Sequence, residues 1–292
     1  MTTPDPSSPG TPPRGTLYVV ATPIGNLGDL SPRAGEILRS VQAVVAEDTR
    51  RTRQLYSWME APSPVFLSLP AYDERARLGP ILARLQAGEQ IALCTDAGTP
   101  AISDPGQALV AAAWEVGAQV VPIPGPCAAI AALVASGLQT DRFLVVGFLP
   151  RKGAGRELAL EWMARLPVTL VLYEAGNRTA ATLKELSEAF GARKAAVARE
   201  LTKMHEEIAR GTLAELAARF GGEEVRGEVT LVVGGAEGVV PIRPEPLEDL
   251  DAELARRLAA GEPSTEIARS VARERGLKRG DVYDQLERMK RG

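Results

Sequence analysis

Five short apolar runs, at 15–21, 43–46, 65–69, 90–94 and 119–123, divide the first half of the chain. Each is apolar nearly throughout rather than alternating, which is the pattern of a strand buried on both faces. Loops and helical patterns fill the gaps. Strand, loop and helix in repetition require a mostly parallel sheet, because every return to a parallel strand needs a covering crossover. Ser31-Pro32 opens the first helix as N-cap and first helical residue. Residues 73–86 read as an amphipathic helix interrupted by Gly79-Pro80. The run 90–94 leads into Thr95-Asp96-Ala97-Gly98-Thr99-Pro100-Ala101-Ile102-Ser103-Asp104-Pro105-Gly106. That loop is about a dozen residues long, where such connections usually take about 2–6. It holds two carboxylates, two glycines and two prolines at the carboxyl end of a strand, which is where open α/β sheets bind ligands. The plain alternative is a βα turn with Asp104 capping the next helix.

The second half has another rhythm. Strands are expected at 143–148, 168–173, 194–198 and 228–233, and helices at about 154–166, 177–190 and 212–220, giving an α+β layer on a mixed sheet. Pro124-Gly125-Pro126 is a rigid corner into an alanine-rich helix. The expected organisation is a disordered tail over 1–14, α/β domains over 15–124 and 125–238, a proline-rich linker over 239–247, and a helical unit over 248–292. In that last unit Leu250, Leu254 and Leu258 share one face, Ile267 and Val271 a second, and Val282, Leu286 and Met289 a third. Three short helices of this kind resemble a helix-turn-helix module. Arg269, Arg273, Arg275, Lys278 and Arg279 cluster there, and a helical cap or dimer arm is the alternative.

The 292 residues carry a formal charge of −3, which argues against a general nucleic-acid binder but leaves room for a local basic face. Cys94, Cys127 and the single His205 do not make a usual zinc site, so no metal is expected. The cysteines read as reduced thiols of a cytoplasmic protein. The N-terminus does not read as a signal peptide, and no apolar stretch reaches membrane-spanning length. Dinucleotide, Walker and nucleophile-elbow fingerprints are absent. Residue chemistry alone therefore gives a pocket, lined by loops 22–28, 95–106 and 124–128, and no reaction.

Seven motifs in order narrow this: Ala21-Thr22-Pro23-Ile24-Gly25-Asn26-Leu27, Ala46-Glu47-Asp48-Thr49-Arg50, the Asp96–Gly106 segment, Pro124-Gly125-Pro126, Gly147-Phe148-Leu149-Pro150-Arg151-Lys152, Arg199-Glu200-Leu201-Thr202-Lys203 and Gly227-Glu228-Val229-Thr230-Leu231. The series resembles the tetrapyrrole methylase superfamily, and within it the lineage that methylates ribosomal RNA. The resemblance implies two α/β domains with a cleft between them, binding of S-adenosylmethionine in that cleft, a homodimer, and 2′-O-methylation of a cytidine in the decoding region of 16S ribosomal RNA. Motif matching puts Pro23, Asp96, Ala97, Gly98, Ile102, Ser103, Ala128, Leu172, Tyr173, Ala198, Val229 and Thr230 at the methyl donor. Many of these contacts are expected from backbone groups, which explains the apolar residue types; for Ala128, Leu172, Ala198 and Val229 the alternative is core packing. The family usually has Pro-His-Arg where this chain has Gly176-Asn177-Arg178.

A ribose hydroxyl needs a proton acceptor, and Asp48, Glu174 and Lys203 are the candidates. Pairing with Arg50 and with Arg178 is the alternative for the two acids. RNA needs phosphate contacts. Arg50, Arg51 and Arg53, then Arg151, Lys152 and Arg156, then Arg178 and Arg199, are the expected basic rim. Two other functions compete: methylation of a tetrapyrrole or other small molecule on the same fold, and RNA binding by the tail without catalysis.

Overall fold

A computed structural model describes residues 15–222, 225, 227–236, 249–275 and 277–291. The expected tail over 1–14 and the expected linker over 239–247 lie outside the described residues. The chain divides into two compact units, Met1–Val239 and Val240–Gly292.

The first unit begins with the parallel layer. Its strands are β1 (Thr16–Val20), β2 (Ala43–Ala46), β3 (Val65–Ser68), β4 (Gln90–Cys94) and β5 (Gln119–Ile123). They lie in the order β3-β2-β4-β1-β5, every pairing parallel. Helices α1 (Pro32–Ser40), α2 (Thr49–Trp58), α3 (Leu78–Gln86) and α4 (Gln107–Glu115) make the crossovers. Successive strand residues point to opposite faces. Ala43, Val45, Ile91 and Leu93 therefore meet Ile81, Leu85, Leu109 and Ala113 of α3 and α4. Val44, Ala92 and Cys94 meet Ala34, Leu38, Leu55 and Tyr56 of α1 and α2. Covering both faces is what requires the continuous apolar runs. The Ser31 hydroxyl accepts the Ala34 N–H, so α1 starts where the sequence places it. The expected helix over 73–86 is corrected. Two short 3₁₀ segments, Ala71–Asp73 and Arg75–Arg77, precede α3, and Gly79-Pro80 stand in its first turn. Proline is tolerated there because first-turn N–H groups have no intrahelical partner.

The second layer is mixed. Its strands are β6 (Phe143–Phe148), β7 (Thr169–Ala175), β8 (Lys194–Arg199), β9 (Glu207–Thr212) and β10 (Glu228–Val233). The order is β6-β7-β10-β8-β9, with only β6–β7 parallel. Helices α5 (Ala128–Ser136), α6 (Ala154–Met163), α7 (Thr179–Phe190) and α8 (Leu213–Phe220) cover it. Leu170, Leu172, Val229 and Leu231 pack with α6, α7 and α8 on one face. Val171, Ala196, Ala198 and Val232 pack with Ala129, Ala132 and Leu133 of α5 on the other. Strand β9 is an addition to the sequence expectation.

The second unit contains α9 (Leu250–Ala259), α10 (Ser264–Arg275) and α11 (Arg279–Arg291). Leu254, Ile267, Val271, Val282 and Leu286 form its buried core, with Leu250, Leu258 and Met289 partly buried against it. The three expected faces thus converge. Arg269, Lys278 and Arg279 are exposed. The side chains of Arg273 and Arg275 lie outside the described residues. Among the described residues no helix is long and apolar enough to cross a membrane.

Candidate active site

The loop after β1 and the long loop after β4 are joined by backbone. Thr22 N–H donates to Gly98 O at 2.8 Å and Gly98 N–H to Thr22 O at 3.0 Å. The Thr22 hydroxyl adds a bond to Thr95 O at 3.2 Å, and Thr99 ties the loop to the corner through Pro126 O at 3.0 Å. Within this loop Ala101 and Ser103 adopt φ of 66° and 64°, and Gly98 and Gly106 φ of 88° and 132°. The two non-glycine residues carry strain on the order of 1–3 kcal/mol each, which persists only where surrounding contacts over-determine the backbone. Strain recurs in the β8–β9 loop, at Glu200 (φ 50°) and Thr202 (φ 66°).

The two strained loops face a cleft of about 570 Å³. Apolar walls come from Ile24, Ile102, Ala128 and Ala198, and from the rings of Phe148 and Tyr173, whose centroids are 5.6 Å apart. The Tyr173 hydroxyl accepts the Ala129 N–H at the start of α5 at 3.2 Å. Burial pushes its pKa up to about 12, so it stays neutral. The same cleft is lined by Glu47, Asp96, Asp104, Glu200 and Glu228, with the cations Arg51 and Lys203. Burial raises the Glu47 pKa, and the Asp96 and Asp104 charges raise it further. Burial also raises Asp104, with Glu228 and Asp96 adding to it. Asp96 is held by the Asp48 backbone N–H at 3.1 Å and by Arg51 at 3.3 Å. A cleft with crowded carboxylates and aromatic walls suits a ligand that is cationic in part and planar in part.

Most of the expected donor residues meet there: Asp96, Ala97, Gly98, Ile102, Ser103, Ala128, Tyr173, Ala198 and Thr230 all line the cleft. Pro23 lines an adjoining cavity instead. Leu172 and Val229 do not line the cleft by side chain. Their side chains pack in the core beneath α6, α7 and α8, because they alternate with Tyr173 and Thr230 along their strands, and only their backbone groups are left for the ligand.

Two of the proton-acceptor candidates do not line the cleft. Glu174 is 1% exposed and faces away from the cleft. Its carboxylate accepts from Arg178, from the Thr182 hydroxyl at 2.7 Å and from the Ala175 N–H at 2.8 Å. Asp48 caps α2, and the Arg50 guanidinium bonded to its carboxylate holds its pKa down to about 2. A carboxylate so firmly ionised is a weak base. Lys203 does line the cleft, with Nζ donating to Glu200 Oε1 at 2.8 Å.

The expected rim thins in the same way. Arg156 is turned inward onto Glu185 at 2.6 Å, Pro150 O and Thr182. Arg178 serves Glu174, and Arg199 is paired with Glu207. Arg53 lies over the Phe66 ring at 4.5 Å. Arg50, Arg51, Arg53, Arg151 and Lys152 are exposed. His205 is exposed and is no part of the cleft lining. Glu47, Asp104 and Glu228 were not singled out as site residues. The available signal was Glu47 at a buried strand's end and Asp104 beside Pro105 in the long loop.

The sequence family of tetrapyrrole (corrin/porphyrin) methylases matches residues 16–217. A ribosomal RNA small subunit methyltransferase I of Synechocystis sp. is 46% identical over 272 residues, spanning 92% of this chain and 96% of that protein. One of Xylella fastidiosa is 51% identical over 225 residues, 76% of this chain and 82% of that protein. The uroporphyrin-III C-methyl transferase of Thermus thermophilus, solved with S-adenyl homocysteine, shares the fold. Its TM-score is 0.54 at 23% identity, over 76% of this chain and 97% of that one. With two sheets, a cleft lined by the signature loops and these likenesses, the chain belongs to the tetrapyrrole (corrin/porphyrin) methylase family, in the group of the ribosomal RNA small subunit methyltransferase I proteins.

Proposed function

We propose that this chain is an S-adenosylmethionine-dependent methyltransferase of 16S ribosomal RNA that methylates the 2′-hydroxyl of a cytidine in the decoding region. The observation that carries the reading is the composition of the cleft. Glu47, Asp96, Asp104 and Glu228 give it a negative potential suited to a sulfonium and an ammonium, and Tyr173, Phe148, Ile102 and Ala198 give it flat apolar walls suited to adenine. The names of the relatives supply the RNA class. Bound there, S-adenosylmethionine supplies an electrophilic methyl: the new C–O bond forms as the C–S bond breaks, and sulfur keeps that pair and leaves neutral.

The chain's own part is chiefly positioning. The Thr22–Gly98 pairing and the strained Ala101 and Ser103 fix the donor loop before any ligand arrives, which lowers the entropy cost of alignment. Aligning two reactants is worth up to about 7–11 kcal/mol of barrier. Glu47 and Asp104 hold protons more tightly than free carboxylates, so they are better proton acceptors than Asp48. The same reading takes the protein as a cytoplasmic homodimer working without a metal.

The test is transfer of labelled methyl from S-adenosylmethionine to purified small ribosomal subunits lacking the modification, with mapping of the labelled nucleotide. One 2′-O-methylcytidine in the decoding region is the expected product. Donor binding with transfer to a porphyrinoid, and none to the subunit, would move the substrate to the small-molecule class.

A further inference from the structure

Strand β6 carries a register shift. Val145 pairs with Val171 of β7, but Gly147 pairs with Leu172, and Phe148 pairs with Tyr173. Val146 is thus one residue too many, a β-bulge, and it turns every later side chain to the opposite face. Leu144 and Val146 pack in the core beneath α6, α7 and α8, and plain alternation would send Phe148 there with them. The bulge brings it instead to the face of Tyr173, on the cleft. Gly147 makes the turn with φ of 75°, seated so close to the donor loop that a Cβ would lie 2.8 Å from the Ser103 hydroxyl oxygen. The ring ends up half out of the fold. Phe148 lines the cleft and is 44% exposed, whereas its neighbour Leu149 is 4% exposed. Tyr173, tied by its hydroxyl to the Ala129 N–H, is the inner ring against which Phe148 rests. Three and four residues further on, Arg151 and Lys152 are exposed, and neither takes part in an ion pair among the described residues.

We propose that the open side of the Phe148 ring stacks the base of the acceptor nucleotide, with Arg151 and Lys152 on phosphates of the same strand. The proposal rests on the RNA reading above and names the residue that grips the acceptor. Proteins hold single-stranded RNA in this way: unstacked bases lie on aromatic faces while cations follow the backbone. Three residues of chain reach at most about 11 Å, so the ring and the first cation can serve one short stretch of strand. A phenylalanine gains most by burial, and the sheet gives up part of that gain and adopts a left-handed glycine to keep this one at the mouth of the cleft. Bulges next to active sites are the usual device for re-aiming a side chain in this manner. Because the inner part of the ring still walls the cleft, a base on its outer part stands next to the donor. Stacking uses the π face that every base has, so the ring positions the acceptor without choosing cytosine over uracil.

The test compares the wild-type protein with Phe148→Leu and Phe148→Trp on small subunits reconstituted with cytidine or with an abasic ribose at the acceptor position. Donor affinity by calorimetry is measured alongside. In Phe148→Leu the KM for the cytidine subunit should rise about tenfold or more, the scale of one lost base–aromatic stack, and by far more than donor affinity falls. Phe148→Trp should restore it. Removing the base should raise KM for the wild-type protein by a similar factor and for the leucine variant much less, because the partner of the base is already gone. Base removal that costs both proteins equally overturns the proposal and leaves the RNA reading in place. So does a fall in donor affinity as large as the rise in KM, which gives the ring to the donor alone. A purely structural loss would shrink the active fraction, lowering kcat with KM unchanged, and that result overturns it too. If the wild-type protein transfers no methyl to the cytidine subunit, the RNA reading itself fails and this assignment with it.

Discussion

The Glu74 carboxylate accepts the Gly106 backbone N–H at 3.0 Å, although the two residues stand 32 apart in the chain. The same oxygen accepts from Ala108 at 3.0 Å and Leu109 at 3.2 Å. Helix α4 has no side-chain cap of its own, so Asp104 is not its cap. A remote carboxylate instead satisfies its open N–H groups and complements the positive end of its dipole. Because Gly106 closes the long loop, this contact also anchors that loop. Glu74→Ala is expected to cost about 0.5–2 kcal/mol of stability in urea titration, the usual range for a lost cap, and to weaken donor binding. Glu74→Gln, which keeps the acceptor and drops the charge, should recover much of both. Equal stability of all three proteins would show that the contact carries no weight.

Gly147 and Ser103 supply a second check on the cleft. Gly147 stands at the register shift between β6 and β7 with φ of 75°, and a Cβ there would lie 2.8 Å from the Ser103 hydroxyl oxygen. Gly147→Ala should cost about 1–2 kcal/mol for the left-handed backbone and also push the donor loop. Adding Ser103→Ala relieves the clash but not the backbone cost. The double variant should therefore regain donor affinity by calorimetry while remaining destabilised, a coupling expected only of residues in contact.

Most of the parallel layer was legible because burial on both faces leaves an unbroken apolar run, and such runs have few other readings. Strand β9, Glu-Ile-Ala-Arg-Gly-Thr, gave no such run: it is an edge strand, and only Ala209 in it is buried. The cap by Glu74 was not legible at all, since nothing local links residue 74 to residue 106. Alternation along a strand keeps the side chains of Leu172, Tyr173 and Glu174 from all facing one cleft, and likewise those of Val229 and Thr230, so at Leu172 and Val229 only a backbone contact is open. The glutamate and aspartate pairings with Arg178 and Arg50, weighed beside the catalytic reading, are what the fold uses.

The raised carboxylates set up an exchange between stability and binding. A carboxyl group whose pKa is higher in the folded protein than in the unfolded chain binds protons more tightly when folded. Its contribution to stability is present below the unfolded value and is lost as pH rises through the folded one. Glu47 and Asp104 therefore oppose folding at neutral pH in the free protein. Glu47→Gln and Asp104→Asn should each raise Tm at pH 7, with the gain shrinking as pH falls below the raised values. Each should also weaken donor binding, because the negative potential of the cleft falls. A lower Tm for both variants at pH 7 would mean that their carboxylates are held by partners in the free protein.

Arg151 and Lys152 test the basic rim most directly. Both are exposed in the turn that connects β6 to α6, whereas Arg156, three residues into the helix, is 8% exposed and bonded to Glu185, Pro150 O and Thr182. A phosphate contact needs a cation that is not already committed inside the fold. Replacing Arg151 and Lys152 together with serine should weaken binding to small subunits. It should also reduce the slope of log K against log salt by roughly 0.7–0.9 per lost contact, with melting unchanged. Arg156→Ala should behave oppositely. It removes the donor shared by Glu185, the Thr182 hydroxyl and the Pro150 carbonyl, so it should lower stability by roughly 1–3 kcal/mol and leave the salt slope as it was. An unchanged slope in the double serine variant would remove this turn from the RNA-binding surface.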